Sequence, residues 1–245
     1  SASTSASVRH YANDGGSVSR HFVGVWPSNA HCMEGIKRTQ SDLRSKLPSN
    51  QKINWTSEYN IHLTLQYFGS KLQEPETFKK ASEIMVKTTK NMKPFQVGIK
   101  GVGVFPRPAK PRVLWLGIGD GREEINTLHS ELQTKWKEAG IEIEEERWSP
   151  HITIARWSDV YIKPEQGDAI KHVLAQFKDD EFARFTVSEI LLASSTLHPI
   201  EPKYCPMVIA PLQLERVLMG RQHKKPEVAP STPNPNAKVV NNAKA

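Results

Sequence analysis

Cysteine is almost missing from this chain: Cys32 and Cys205 are the only two in 245 residues, and they share no metal or redox spacing. That excludes a disulfide scaffold and favours a reducing compartment. No apolar run approaches the roughly 20 residues of a membrane-spanning helix, and no apolar signal core stands near the N-terminus, so a cytoplasmic or nuclear protein without a membrane partner is expected. The chain opens Ser1-Ala2-Ser3-Thr4 rather than with Met, which leaves room for a removed targeting peptide. Phosphate-binding glycine loops are absent too. Gly101-Val102-Gly103 and Gly117-Ile118-Gly119-Asp120-Gly121 match neither the dinucleotide fingerprint nor the loop ending in Lys-Ser/Thr, so no cofactor is expected. Ser194-Ser195 has no nucleophile-elbow context. His21, His31, His129, His172, His198 and His223 are scattered without ligand spacing, and no metal is expected.

The net charge of +7 is unevenly spread. Residues from Arg216 onward carry +5, which leaves +2 for everything before them. Binding along a duplex needs many phosphate contacts and a concentrated basic face, so the nearly neutral remainder suits an RNA end or a small nucleotide better than a long tract. Ser, Ala and Gly dominate residues 1–19, and Pro226, Pro230, Pro233 and Pro235 punctuate 216–245. Both segments are expected to be disordered, flanking one domain at 20–215 that acts as a monomer.

Within that domain a short pattern occurs twice. His62-Leu63-Thr64 and His151-Ile152-Thr153 each sit in a strand-like run. Alternate side chains of a strand share a face, so each His projects with its Thr while Leu63, Leu65, Ile152 and Ile154 point to a core. The 89-residue offset between His62 and His151, each followed by a helical stretch, suggests a duplicated unit. The expected fold is α+β and bilobal: a pseudo-twofold pair of mainly antiparallel sheets lining a central cleft, with helices outside. Strands are expected at 21–26, 61–68, 95–100, 112–118, 151–157, 184–193 and 207–214, and helices at 30–47, 74–90, 123–139 and 164–177. In the third helix Ile125, Leu128, Leu132 and Trp136 recur at spacings of three and four.

Two imidazoles titrating near neutrality, with two hydroxyl donors beside them, suit a phosphodiester: one His takes a proton and the other gives one. Strict alternation also puts Gln66 and Phe68 on the face of His62, and Trp157 on that of His151. Phe68 or Trp157 would stack on a nucleobase, worth about 1–3 kcal/mol. Tyr67 falls on the opposite face. Arg156 has the wrong parity and reaches the cleft only if its strand ends or bulges at Ala155.

These motifs and their flanks resemble the two-histidine phosphoesterase superfamily, in particular its RNA 2′,3′-cyclic phosphodiesterase or 2′–5′ RNA ligase-like branch. The similarity extends through Trp55–Gly69, Gly103–Gly117, Trp148–Arg156 and Ser188–Leu192. It implies His62, Thr64, His151 and Thr153 as catalytic residues and Arg156 as a phosphate-positioning one. Gln66 departs from an Arg common in this branch, and Leu197-His198-Pro199-Ile200-Glu201-Pro202 lacks the expected Gly. The resemblance implies metal-independent hydrolysis of a 2′,3′-cyclic phosphate to a 2′-phosphate. Cleavage of 2′–5′ linked oligoadenylates or cyclic dinucleotides would use the same residues, and a non-catalytic RNA-end sensor would have lost a His or Thr.

Overall fold

The computed structural model describes residues 19–27, 29–49, 51–143, 147–158, 162–198 and 201–213. The expected disordered segments lie outside the described residues apart from Ser19, which is buried, its carbonyl accepting from the Gln73 side chain.

Local signals start and stop the helices. Helix α1 (Ala30–Lys46) begins at Asn29, whose side chain accepts from the Cys32 N–H at 2.6 Å, and it buries Cys32, Ile36 and Leu43 on one face. Helix α2 (Pro75–Thr89) has Pro in its first turn, where the missing N–H costs nothing. Helix α3 (Arg122–Glu138) buries Ile125, Leu128, Leu132 and Trp136, the four residues its periodicity singles out. Helix α4 (Pro164–Gln176) again starts on Pro.

The described strands are β1 (Arg20–Val25), β2 (Ile53–Trp55), β3 (Leu63–Gly69), β4 (Phe95–Arg107), β5 (Lys110–Ile118), β6 (His151–Trp157), β7 (Glu181–Val187), β8 (Glu189–Thr196) and β9 (Lys203–Pro211). They run antiparallel in the order β7-β4-β5-β6-β3-β1-β8-β9, with β2 added beside β6. The two expected sheets are therefore continuous, meeting at the β3–β6 seam through the single pair Leu63↔Ile152. One lobe is β3-β1-β8-β9 and the other β6-β5-β4-β7.

Chain order and lobe do not coincide. After β1 of the first lobe, α1 packs on β7 of the second, where Gly35 lies so close to Phe182 that a Cβ would sit 2.3 Å from its carbonyl oxygen. Helices α2 and α3 pack on each other, α2 against β8 and β9 and α3 against β3, and α4 against β4. The expected strand at 184–193 is in fact two, broken at Ser188, where the chain passes from β7 at one edge to β8 in the other lobe. A continuous apolar pattern hides that crossing. Strand β2 has no counterpart among the expected strands. Among the described residues no helix is long and apolar enough to cross a membrane.

Candidate active site

The seam sets the site. With Leu63 opposite Ile152, both fully buried, His62 and Thr64 flank the contact on one strand as His151 and Thr153 do on the other. All four line one cavity of about 630 Å³, together with Arg156, Tyr67, Asn60, Tyr204, Phe22 and Arg44.

Each motif strand then departs from regular pleating at the same place. Consecutive Val23 and Gly24 of β1 pair with Gln66 and Thr64, leaving Leu65 as an extra residue in β3. Consecutive Leu114 and Trp115 of β5 pair with Ala155 and Thr153, leaving Ile154 extra in β6. A β-bulge of this kind reverses the facing of every later side chain. Arg156 consequently lines the cavity, as the bulge condition required, one residue earlier than Ala155. Tyr67, expected to face away, lines it too.

The same reversal corrects three expectations. Phe68 is fully buried and meets Trp136 of α3 edge-on, with ring centroids 5.0 Å apart, so it belongs to the core rather than to a stacking surface. Trp157 is 4 % exposed, and its Nε1–H donates to Gln51. Gln66 is buried beside the cavity, accepting from Gln133 Nε2 at 2.8 Å and donating to the Tyr67 carbonyl at 2.9 Å. It borders, with His129 and Trp148, an adjoining recess of about 100 Å³ that shares Thr64, Tyr67 and His151 with the cavity.

The two imidazoles are held alike. His62 Nδ1 lies 2.8 Å from the Asn60 carbonyl, and His151 Nδ1 lies 2.7 Å from that of Ser149. A carbonyl only accepts, so both Nδ1 atoms carry the proton and Nε2 is the free lone pair of each neutral ring. His62 Nε2 accepts from the Thr64 hydroxyl at 3.1 Å. Aromatic rings fix the planes: His62 stacks on Trp26 at 5.1 Å and meets Tyr204 edge-on, while His151 meets Phe105 edge-on at 5.0 Å. Gly24 admits the first stack, since a Cβ there would lie 2.8 Å from the Leu63 carbonyl oxygen and 3.2 Å from the Trp26 ring.

Burial governs their proton affinity. Desolvation drives His62 down to about 4; the Asn60 carbonyl opposes this, and the charges of Arg156 and His151 add to it. His151 is also lowered, mainly by burial, with the Ser149 carbonyl opposing and Arg156 assisting. Among the described residues no three His, Cys, Asp or Glu side chains gather as metal ligands would.

Several lining residues escape a reading of the sequence. Asn60 precedes the motif, Arg44 comes from α1 with its guanidinium 5.1 Å from the centre of the Trp55 ring, and Tyr204 comes from β9. Trp55 lies within the stretches that carry the resemblance, whereas Arg44 carries no local signal.

A model of the 2′-5′ RNA ligase superfamily matches residues 61–198. The RNA 2′,3′-cyclic phosphodiesterase of Aquifex aeolicus is 32% identical over 190 residues, covering 76% of this chain and 94% of that protein. Its Thermotoga maritima namesake is 29% identical over 174 residues, covering 70% and 86%. Among solved structures, a Thermus thermophilus protein superposes with TM-score 0.62 at 20% identity, over 80% of this chain and 99% of its own. Escherichia coli LigT complexed with 3′-AMP gives TM-score 0.60 at 19% identity, over 80% and 99%. Both share the fold described above.

Proposed function

The chain belongs to the 2′-5′ RNA ligase superfamily, and on that footing we propose that it is a phosphodiesterase of RNA or nucleotide ends that opens a 2′,3′-cyclic phosphate to a 2′-phosphate. The observation that carries this reading is the pair of imidazoles in one cavity, each with its Nδ1 proton given to the carbonyl two residues earlier and its Nε2 left for chemistry. The names of the Aquifex and Thermotoga relatives support the choice of substrate.

His62 is the general base. It has the more strongly depressed proton affinity, and its Nε2 already accepts a hydroxyl proton from Thr64. A water in that place attacks phosphorus and passes its proton to His62 Nε2. The bond from phosphorus to O3′ breaks, and His151, as imidazolium, protonates O3′. The products are a 2′-phosphate and a free 3′-hydroxyl. Thr64, released from His62, and Thr153 donate to the non-bridging oxygens as negative charge gathers there, and Arg156 neutralises it. The proton taken from water ends on His62, and the one given to O3′ comes from His151.

The test is a product analysis with purified protein and a cyclic-ended dinucleotide. A 2′-phosphate formed in the presence of EDTA is the expected outcome. Release of a cyclic phosphate from a 2′–5′ linked dimer, with the cyclic-ended substrate left intact, would replace this reading by 2′–5′ cleavage. Retention of the ligand without turnover would replace it by sensing.

A further inference from the structure

The catalytic cavity does not end at the catalytic residues. A second hollow of about 400 Å³, bounded by Tyr59, His198 and Lys203, shares Asn60, Glu201, Pro202 and Tyr204 with it as a common wall. Each volume falls within the ~300–1,000 Å³ typical of small-molecule pockets. Tyr59 is 80 % exposed, the most exposed large hydrophobic side chain among the described residues.

The turn that carries that ring is nevertheless tied down. Tyr59 occupies the middle of a 3₁₀ turn, Glu58–Asn60, and both its neighbours are held. Glu58 forms an ion pair with Lys37 of α1, and Asn60 Nδ2 donates to the Pro202 carbonyl at 2.9 Å. The Asn60 carbonyl is also the one that orients His62. Tyr59 is thus carried by the turn whose Asn60 carbonyl orients the catalytic base. A solvent-facing aromatic ring on such a turn, beside a hollow that shares a wall with a nucleotide-sized one, is suited to stacking on the next base of a single strand.

We propose that the second hollow takes the penultimate nucleotide of an RNA chain whose terminal nucleotide fills the catalytic cavity, with Tyr59 as the platform for its base. This rests on the hydrolase reading above and adds to it a subsite for the nucleotide that precedes the cyclic end. Lys203 supplies positive charge to the intervening phosphate. The Glu201 carboxylate, which accepts from the Ser57 N–H at 3.4 Å, suits a ribose hydroxyl and keeps the phosphate on the Lys203 side.

The experiment compares kcat and KM for a 2′,3′-cyclic mononucleotide and a cyclic-ended dinucleotide in the wild type, Tyr59→Ala and Tyr59→Phe. The wild type should favour the dinucleotide in kcat/KM by about fivefold or more. Tyr59→Ala should abolish that preference through KM while leaving the mononucleotide unchanged, and Tyr59→Phe should restore it. Equal wild-type kcat/KM for the two substrates, or a Tyr59→Ala effect that is absent or the same on both, overturns the platform and leaves hydrolysis standing. A wild type that turns over neither substrate overturns both.

Discussion

Removing His62 and removing His151 should produce different failures, and the difference can be read with a change of leaving group. With its proton affinity near 4, His62 is protonated in only about one molecule in a thousand at pH 7, so a mechanism needing it as the acid in the free protein would forfeit about three powers of ten. His151 is lowered as well, but among the described residues no side chain donates to its Nε2 as Thr64 does to that of His62, and it takes the acid role. An acid is needed when the departing oxygen is a sugar alkoxide and hardly at all when it is an aryl phenolate. His151→Ala should therefore lose roughly 10²–10⁴-fold on a cyclic-ended nucleotide and recover most of that loss on a nucleoside aryl phosphodiester. His62→Ala should be defective on both. The pH dependence of kcat/KM carries the same logic. Its acid limb reports His62 near 4, its alkaline limb reports His151, and the maximum lies below 6.5, with a tenfold fall per unit above the alkaline limb. Arg156 disfavours positive charge on both rings, so Arg156→Gln should move both limbs to higher pH while lowering the maximum. An unrecovered loss in His151→Ala, or recovery in His62→Ala instead, would refute the assignment.

Other outcomes test the surrounding structure. Phe68→Ala should lower unfolding stability by about 3–5 kcal/mol in a denaturant titration without altering KM, because the ring packs on Trp136 rather than on substrate. Gln40 of α1 donates to the Ile154 carbonyl at 3.0 Å, at the bulge that turns Arg156 inward; Gln40→Leu should therefore weaken turnover in the manner of Arg156→Gln, with little change in KM for a neutral analogue. Stability should also fall with acid. His62 is about 4 folded and 6.5 unfolded, so the unfolded chain binds the extra proton between those values, and its contribution is intact above 6.5 and declines by up to about 3 kcal/mol towards pH 4. A thermal melt series from pH 7.5 to 4 would show it.

The helices and most strands are legible in the sequence because their signals are local. Asn29 before α1, Pro at the starts of α2 and α4, and the apolar stripe of α3 each act within a few residues. The four motif residues are legible because a two-residue period carries His and Thr to one face before any irregularity intervenes. Parity fails just beyond each Thr. Leu65 and Ile154 are ordinary strand residues, and what makes them extra is pairing with β1 and β5. The carbonyl freed at Ile154 is satisfied by the Thr56 N–H and by Gln40, 114 residues away, a partnership invisible in a window of sequence. Strict alternation therefore sends Phe68 and Trp157 to the cleft and Tyr67 away from it, the reverse of where the bulges put them.

The threading of the polypeptide back and forth across the seam has a mechanical corollary. Because β1 and β3 complete their lobe only when β8 and β9 arrive, and α1 shields a strand belonging to the opposite side, one wall is assembled from two distant stretches of chain with the whole of the other wall threaded between them. That discontinuous wall cannot be excised as one contiguous module, and because the chain crosses the seam more than once the two walls do not swing on a one-stranded hinge. The distance across which a phosphorus atom must be gripped is therefore set by several separate stretches of chain rather than by one.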